Sequence, residues 1–349
     1  RQELQEGNRS IFSRKLQELM TDRLNKGQQT ILFLNRRGYA GFVSCRSCGE
    51  VMKCPHCDVS LSEHKGGRLI CHYCGYTQPM PKLCPKCGSK YILGFKAGTQ
   101  QIEEKLKELY PGVRTLRMDA DTTRTKDSYE KILSSFANGE ADVLIGTQMI
   151  VKGHDFPKVT LVGILAADLS LNASDYRAGE RTFQLLTQAV GRAGRGALPG
   201  EAVIQTYQPD HYAITCAAAQ DYESFYQEEI LYRELSGYPP VAHMLAVQIY
   251  GKEEENVKQL ALRLTDVVKS NMDFLSGKQK EQSNKKIQVL GPAPANISKI
   301  NDIYRYVFYV KHAEYDVLVE VKDRLEETLR QWQPRQMSIQ FDFDPVSVL

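Results

Sequence analysis

Short apolar runs alternate with amphipathic stretches along most of the chain up to residue 206. Between residues 11 and 25, Ile11, Phe12, Leu16, Leu19, Met20 and Leu24 recur at helical spacing and make one apolar face. Gly27 ends that helix, and TILFLN at 30–35 follows as an unbroken run, the mark of a strand buried on both faces. The pattern resumes with a helix over 99–110, a strand at 113–118, a helix over 126–137 and the strand DVLIG at 142–146. A strand at 159–165, a helix over 178–193 and a strand at 201–206 complete it. Apolar strands alternating with helices predict a parallel α/β sheet covered on both faces.

Beyond about residue 235 the order changes. A strand at 241–250 leads into a helix over 253–275 with a stripe of Val257, Leu260, Leu264, Val267, Val268 and Leu275. A polar loop (276–286), strands at 287–290 and 304–311, a helix over 314–332 and a strand at 337–343 follow. This β-α-β-β-α-β succession predicts a small α+β domain of the ferredoxin-like, split βαβ type, a topology that by itself names no function. In the strand 304–311 the pattern puts Arg305 and Lys311 on the exposed side.

Residues 44–91 interrupt the first pattern with few aliphatic residues and eight of the nine cysteines, in four C-x-x-C pairs. Each pair offers two thiolates from one tight turn, which is zinc-knuckle geometry. The spacers are 5, 13 and 9 residues, so Cys54, Cys57, Cys71 and Cys74 form an inner zinc-ribbon tetrad, and Cys45, Cys48, Cys84 and Cys87 close a second site around it. Two complete tetrads leave no open position on either ion, so both Zn²⁺ are structural. Cys216 stands apart in an Ala-rich helical stretch and reads as a small buried hydrophobe. The expected organisation is thus a lobe at 1–43 and 92–234, a zinc-binding insertion at 44–91 and an α+β domain at 235–349.

Composition adds limits. At 349 residues with 42% hydrophobic and 25% charged side chains, the chain is that of a globular protein of two or three domains. It carries no membrane-length apolar run and no signal-peptide pattern, which favours a reducing, cytoplasmic setting and metal over disulfides. Beginning at Arg1, it is expected to be part of a longer protein. A net charge of +3 argues nothing about nucleic acid, and the basic excess of the cysteine block is cancelled by eight thiolates on two Zn²⁺.

Two further motifs carry chemistry. GTQMIVKGHDFP at 146–157 leaves the carboxyl end of a buried strand, where parallel sheets bind ligands. It gathers Thr147, Gln148, Lys152, His154 and Asp155 around Gly146 and Gly153. An ordinary capped loop would explain Thr147 and Asp155 but not the whole set. QAVGRAGRG at 188–196 places Gln188, Arg192 and Arg195 at i, i+4 and i+7, one face of a single helix. Two guanidiniums on one stripe suit a polyphosphate. Taken alone, solvated arginines at a helix end would be the plainer explanation.

Together, TILFLNRRGYAGFVSCRSCGE, GTQMIVKGHDFP, ASDYRAGERTFQLLTQAVGRAGRG and the four C-x-x-C pairs resemble the primosomal protein N′ family, bacterial replication-restart DNA helicases of superfamily 2. The resemblance runs over essentially the whole chain and is thinner in the last domain, where GPAPANI at 291–297 and YRYVFYVK at 304–311 carry it. It implies a RecA-like second motor lobe with an inserted two-zinc module. It implies that Gly146 through Asp155 act as helicase motif V, with Thr147, Gln148, Lys152 and His154 toward DNA and Gly153 and Asp155 toward ATP. Gln188, Arg192 and Arg195 would be motif VI, with the arginines as fingers on the γ-phosphate. Asn35, Arg36 and Arg37 would be motif IV, and Thr99 and Gln100 would meet a DNA phosphate at a helix start.

The same resemblance implies an ATP- and Mg²⁺-dependent 3′-to-5′ helicase in the nucleoid. It would act on branched and single-stranded DNA, with primosome proteins, the replicative helicase loader and the single-stranded-DNA-binding protein as partners. The chain has no G-x-x-x-x-G-K-[ST] and no Asp-Glu-x-His motor sequence, so by itself it is expected to be inactive and to need a missing N-terminal half. A rival from another class is a zinc-dependent DNA- or protein-binding scaffold without motor role. It accounts for the cysteines but not for Gln188, Arg192 and Arg195 beside the motif at 146–157. A fork-reversal translocase of superfamily 2 would share the motor motifs and leave four C-x-x-C pairs unexplained.

Overall fold

The computed structural model describes residues 3, 6–8, 10–34, 43–45, 47–56, 60–64, 67–71, 74–94, 98–119, 122–123, 125–151, 155–173, 175–270 and 286–346. In it the run at 30–35 is strand β1 (Gln29–Leu34), buried at every position. β1 pairs in parallel with β8 (Val143–Gly146) and β9 (Val159–Leu165). β7 (Thr115–Met118) extends the sheet beside β8 and β10 (Glu201–Ile204) beside β9, giving the order β10-β9-β1-β8-β7.

Successive β1 residues point to opposite faces, and both faces are filled. Leu32 and Leu34 meet Phe12, Leu16, Met20, Ile102 and Leu106 from the α1 (Arg14–Asn25) and α2 (Thr99–Leu109) side. Ile31 and Phe33 join the core built by α3 (Lys126–Ala137), α5 (Ala178–Val190) and α6 (Tyr212–Ala219). Leu32 is fully buried, so truncating it to alanine should cost about 2–5 kcal/mol. Cys216 lies in the second of these cores, as its Ala-rich setting predicts.

Local chemistry explains where elements start and stop. α1 begins at Arg14, three residues later than its apolar spacing suggests, because the Ser13 hydroxyl accepts from the Leu16 N–H at 3.2 Å and caps it. α5 ends at Val190 with Gly191 as its cap, short of the expected residue 193. Arg192 and Arg195 therefore stand on the turn beyond the helix and do not extend the stripe that includes Gln188. Two helices the pattern did not mark are α4 (Asp168–Leu171) and α7 (Tyr222–Ser236). In α7 the large side chains of Tyr222, Tyr226, Leu231 and Leu235 are exposed, which blurs the apolar stripe.

The chain divides into two compact units, and the cysteine block is shared between them. One unit is Arg1–Val51, Pro81–Ala173 and Arg177–Tyr226; the other is Met52–Met80, Ser174–Tyr176 and Gln227–Leu349. The first holds the parallel sheet and the short pair β2 (Val43–Cys45) and β6 (Ile92–Gly94). The second holds the three-stranded sheet β3 (Ser62–His64), β4 (Arg68–Ile70) and β5 (Thr77–Pro79).

The second unit also contains the expected split βαβ layout. Strands β11 (His243–Gly251), β12 (Gln288–Ile300), β13 (Ile303–His312) and β14 (Met337–Phe343) form an antiparallel sheet in the order β12-β13-β11-β14. Leu245, Val247, Ile249, Phe308 and Val310 from this sheet pack with Val257, Leu264, Leu318 and Leu325 of α8 (Glu254–Ser270) and α9 (Tyr315–Trp332). β12 is much longer than the apolar run at 287–290, continuing through Gly291 and Pro292 with shifts of register. Lys311 corrects the reading of 304–311: it is buried, its ammonium donating to the Ser236 carbonyl at 2.7 Å. Arg305 is half-buried.

Candidate functional site

The outer cysteine tetrad assembles as its spacing predicts. The Sγ atoms of Cys45, Cys48, Cys84 and Cys87 all lie within 4.8 Å of one another. Cys45–Cys87 and Cys48–Cys84 are each 3.6 Å apart, too long for a disulfide of ~2.05 Å. They match the ~3.8 Å edge of a tetrahedron whose Zn–S arms are ~2.3 Å. Each knuckle repeats one hydrogen-bond pattern, with Gly49 N–H donating to Cys45 O and Gly88 N–H to Cys84 O. Burial would raise the Cys45 thiol, but the N–H groups of Cys48 and Ser47 and the neighbouring thiols bring it down to about 7, while burial pushes Cys48 up to about 12, so the four thiols titrate as one linked set.

The inner site is built likewise. Cys54, Cys71 and Cys74 cluster within 4.8 Å, with Cys54–Cys74 at 3.6 Å and the Gly75 N–H on Cys71 O. Its fourth expected ligand, Cys57, lies outside the described residues. Both donor sets fit a closed thiolate site for Zn²⁺. The outer tetrad belongs to the parallel-sheet unit and the inner cluster to the C-terminal unit.

The motif at 146–157 and the motif at 188–196 meet at the carboxyl edge of the parallel sheet. β8 ends at Gly146, where an added Cβ would overlap the Met118 carbonyl oxygen, so the strand can turn there only as glycine. Thr147 N–H reaches Met118 O at 3.3 Å, and Gln148–Val151 makes one 3₁₀ turn. Lys152, Gly153 and His154 lie outside the described residues, as do Asn35, Arg36 and Arg37. Asp155, largely exposed, pairs with the Arg195 guanidinium and stands 3.9 Å from Nη1 of Arg192.

The turn after α5 holds the arginines in place. Arg195 Nε donates to Gly191 O at 2.7 Å, closing the turn on itself. Gly194 has φ +72, and its N–H donates to Val159 O at 3.0 Å. A Cβ at Gly196 would overlap the Pro157 carbonyl. The two motifs are thus locked backbone to backbone, which brings Arg192 and Arg195 onto one carboxylate. Arg192 is mostly buried; burial and then the Arg195 charge pull its pKa down, against Asp155. A guanidinium stays cationic under such pressure, so Arg192 keeps its positive charge. Gln188 sits one turn back on α5 and is exposed.

Asp119, which the sequence did not single out, is the partner of the expected residue Thr99. Thr99, the first residue of α2, donates its hydroxyl to Asp119 at 2.6 Å, and both are buried. Asp119 also accepts from the Thr122 N–H at 3.0 Å and pairs with Arg117 at 2.9 Å. An acid directly after strand 113–118 was the available signal. The α2 start itself has no side-chain cap, its N-cap being Gly98.

Parallel sheet, paired motifs and thiolate clusters define a protein built on the second lobe of a nucleic-acid helicase, with a cysteine-rich metal module. Three family models agree with that class. A helicase conserved C-terminal domain matches residues 83–197, the Cys-rich region domain of PriA DNA helicase matches 54–79, and the primosomal protein N C-terminal domain matches 234–346. The replication restart protein PriA of Bacillus subtilis is 44% identical over 100% of this chain and 42% of its own length. That of Synechocystis is 42% identical over 100% of this chain and 41% of its own length, and that of Haemophilus influenzae 35% identical over 93% and 42%. The chain belongs to the primosomal protein N family and spans about two-fifths of the length of these curated relatives.

Proposed function

We propose that this chain supplies the second motor lobe, the two-zinc module and the C-terminal domain of an ATP-driven 3′-to-5′ DNA helicase that restarts replication at stalled forks. The supporting observation is the convergence of Arg192 and Arg195 at Asp155, on the sheet edge where the first lobe's nucleotide would be met. ATP with Mg²⁺ would supply the phosphoryl group. This chain's arginines would neutralise charge growing on it, moving from Asp155 to the phosphate when the lobes close. Thr147, Gln148 and the uncapped start of α2 at Thr99 offer hydrogen bonds to a DNA backbone. Lys152, His154 and Arg36 belong to the same reading, as do Gly153 and Asp155 toward the nucleotide.

The zinc ions hold knuckles and take no part in chemistry. Branched and single-stranded DNA, primosome proteins, the helicase loader and the single-stranded-DNA-binding protein are the proposed partners. Among the described residues no helix is long and apolar enough to cross a membrane. The test is reconstitution: this chain mixed with a first motor lobe carrying the Walker sequences should restore DNA-stimulated ATP hydrolysis that neither shows alone. A scaffold would bind that lobe or DNA and leave hydrolysis at zero.

A further inference from the structure

The four sulfurs of the outer tetrad differ sharply in access. Cys45, Cys48 and Cys84 are only 0%, 9% and 3% exposed. Cys54 and Cys71 of the inner cluster are buried as deeply, and Cys74 is half-buried. Among the described cysteines, Cys87 alone is exposed. Its tetrad lies wholly within the parallel-sheet unit.

Access decides which sulfur an oxidant reaches. A thiol on a metal ion is deprotonated outright, so all four ligands of a loaded tetrad are thiolates and acidity does not choose among them. Oxidation follows thiolate character together with exposure, which leaves Cys87 as the point of entry.

A second thiol already stands beside it. Cys45 Sγ is 3.6 Å from Cys87 Sγ, buried at the end of β2, where Cys45 pairs with Ile92 of β6. The two knuckles are also joined next to the sulfurs. The Ser47 and Ser89 hydroxyls are 2.8 Å apart, and the Lys86 ammonium donates to Glu50 at 2.9 Å. These contacts run outside the metal site, so Cys45 stays beside Cys87 once Cys87 is oxidised. The inner cluster has a close pair too, Cys54 and Cys74 at 3.6 Å, but no exposed member among those described.

We propose that Cys87 is an oxidation site through which hydrogen peroxide opens the outer tetrad. The Cys87 thiolate attacks one peroxide oxygen. The S–O bond forms, the O–O bond breaks and hydroxide leaves, giving a sulfenic acid. The Cys45 thiolate then attacks that sulfur; the S–S bond forms, the S–O bond breaks and a second hydroxide leaves. Two thiolates have lost two electrons to one peroxide, and two protons from solvent turn the hydroxides into water. Two thiolates remain where a structural Zn²⁺ site takes four ligands. The proposal rests on the zinc reading of this tetrad and is independent of the motor function.

The experiment treats the zinc-loaded full-length protein with hydrogen peroxide and follows released zinc with a chromogenic chelator. Sulfenic acids are trapped with dimedone, and adducts and disulfides are located by mass spectrometry. One Zn²⁺ per chain is expected to leave early, with the first adduct on Cys87 and, without dimedone, a Cys45–Cys87 disulfide. Cys87→His keeps a fourth zinc ligand and removes the exposed thiolate, so its outer ion should leave no faster than the inner one. A first adduct on any other cysteine of this chain, or zinc release from Cys87→His as fast as from the wild type, overturns the proposal. Should Cys87→His not take up zinc, the order of adducts in the wild type decides alone. Metal analysis before peroxide keeps the two readings apart: an outer tetrad without zinc shows that the zinc reading has failed, and the proposal with it.

Discussion

Asp155, on the loop after β8, forms an ion pair with Arg195, forty residues further on, and the same carboxylate oxygen stands 3.9 Å from Arg192. One carboxylate thereby occupies both arginines. Its side chain is 68% exposed, so the pairing is available for exchange with another anion.

Asp155→Ala separates the two roles of that carboxylate. Exposed ion pairs contribute about 1 kcal/mol or less, so the melting temperature should hardly move. DNA-stimulated ATP hydrolysis in the full-length protein should fall, because the arginines lose the group that aligns them. A large drop in melting temperature with hydrolysis intact would assign Asp155 to structure alone.

The cysteine sites should come apart independently. Cys71→Ser is expected to release one Zn²⁺ per chain and to loosen amide protection over β3, β4 and β5, leaving that of β1 and β9 as it was. Cys45→Ser should release the other ion. Metal analysis with hydrogen exchange reads both. Loss of two ions from either single variant would show one coupled cluster instead.

Asp168 predicts a pH signature. Burial raises its pKa above 3.8, against hydrogen bonds from Thr206 and the Tyr207 N–H. The folded chain then binds this proton more tightly than the unfolded one, so the contribution is full below 3.8 and lost as pH rises through the raised value. Urea midpoints across that window should show Asp168→Asn gaining on the wild type as pH rises, then levelling off. A pH-independent difference would remove Asp168 from the titration.

Much of this was legible because two signals are local. An unbroken run such as TILFLN has only one way to lie in a sheet covered on both faces. Cys-x-x-Cys spacing sets which thiols can share an ion, and the tetrad around Cys45 assembled accordingly. Tertiary chemistry was not legible. Gly191 ends α5 before Arg192, so the helical stripe is replaced by a glycine-locked turn that the contacts with Pro157 and Val159 explain. Lys311 has the periodicity of an exposed residue, yet the Tyr238 ring and Ser236 carbonyl bury it. Asp119 looks like a strand-end acid until Thr99 is seen against it.

The most direct test of the motor assignment is the turnover of full-length Arg195→Ala on forked DNA, measured beside its affinity for the same fork. Loss of a catalytic arginine should reduce DNA-stimulated ATP hydrolysis by ~10³–10⁵-fold while leaving fork affinity near the wild-type value. Turnover equal to wild type would contradict the account, leaving the arginines as surface charges on a zinc-bearing scaffold.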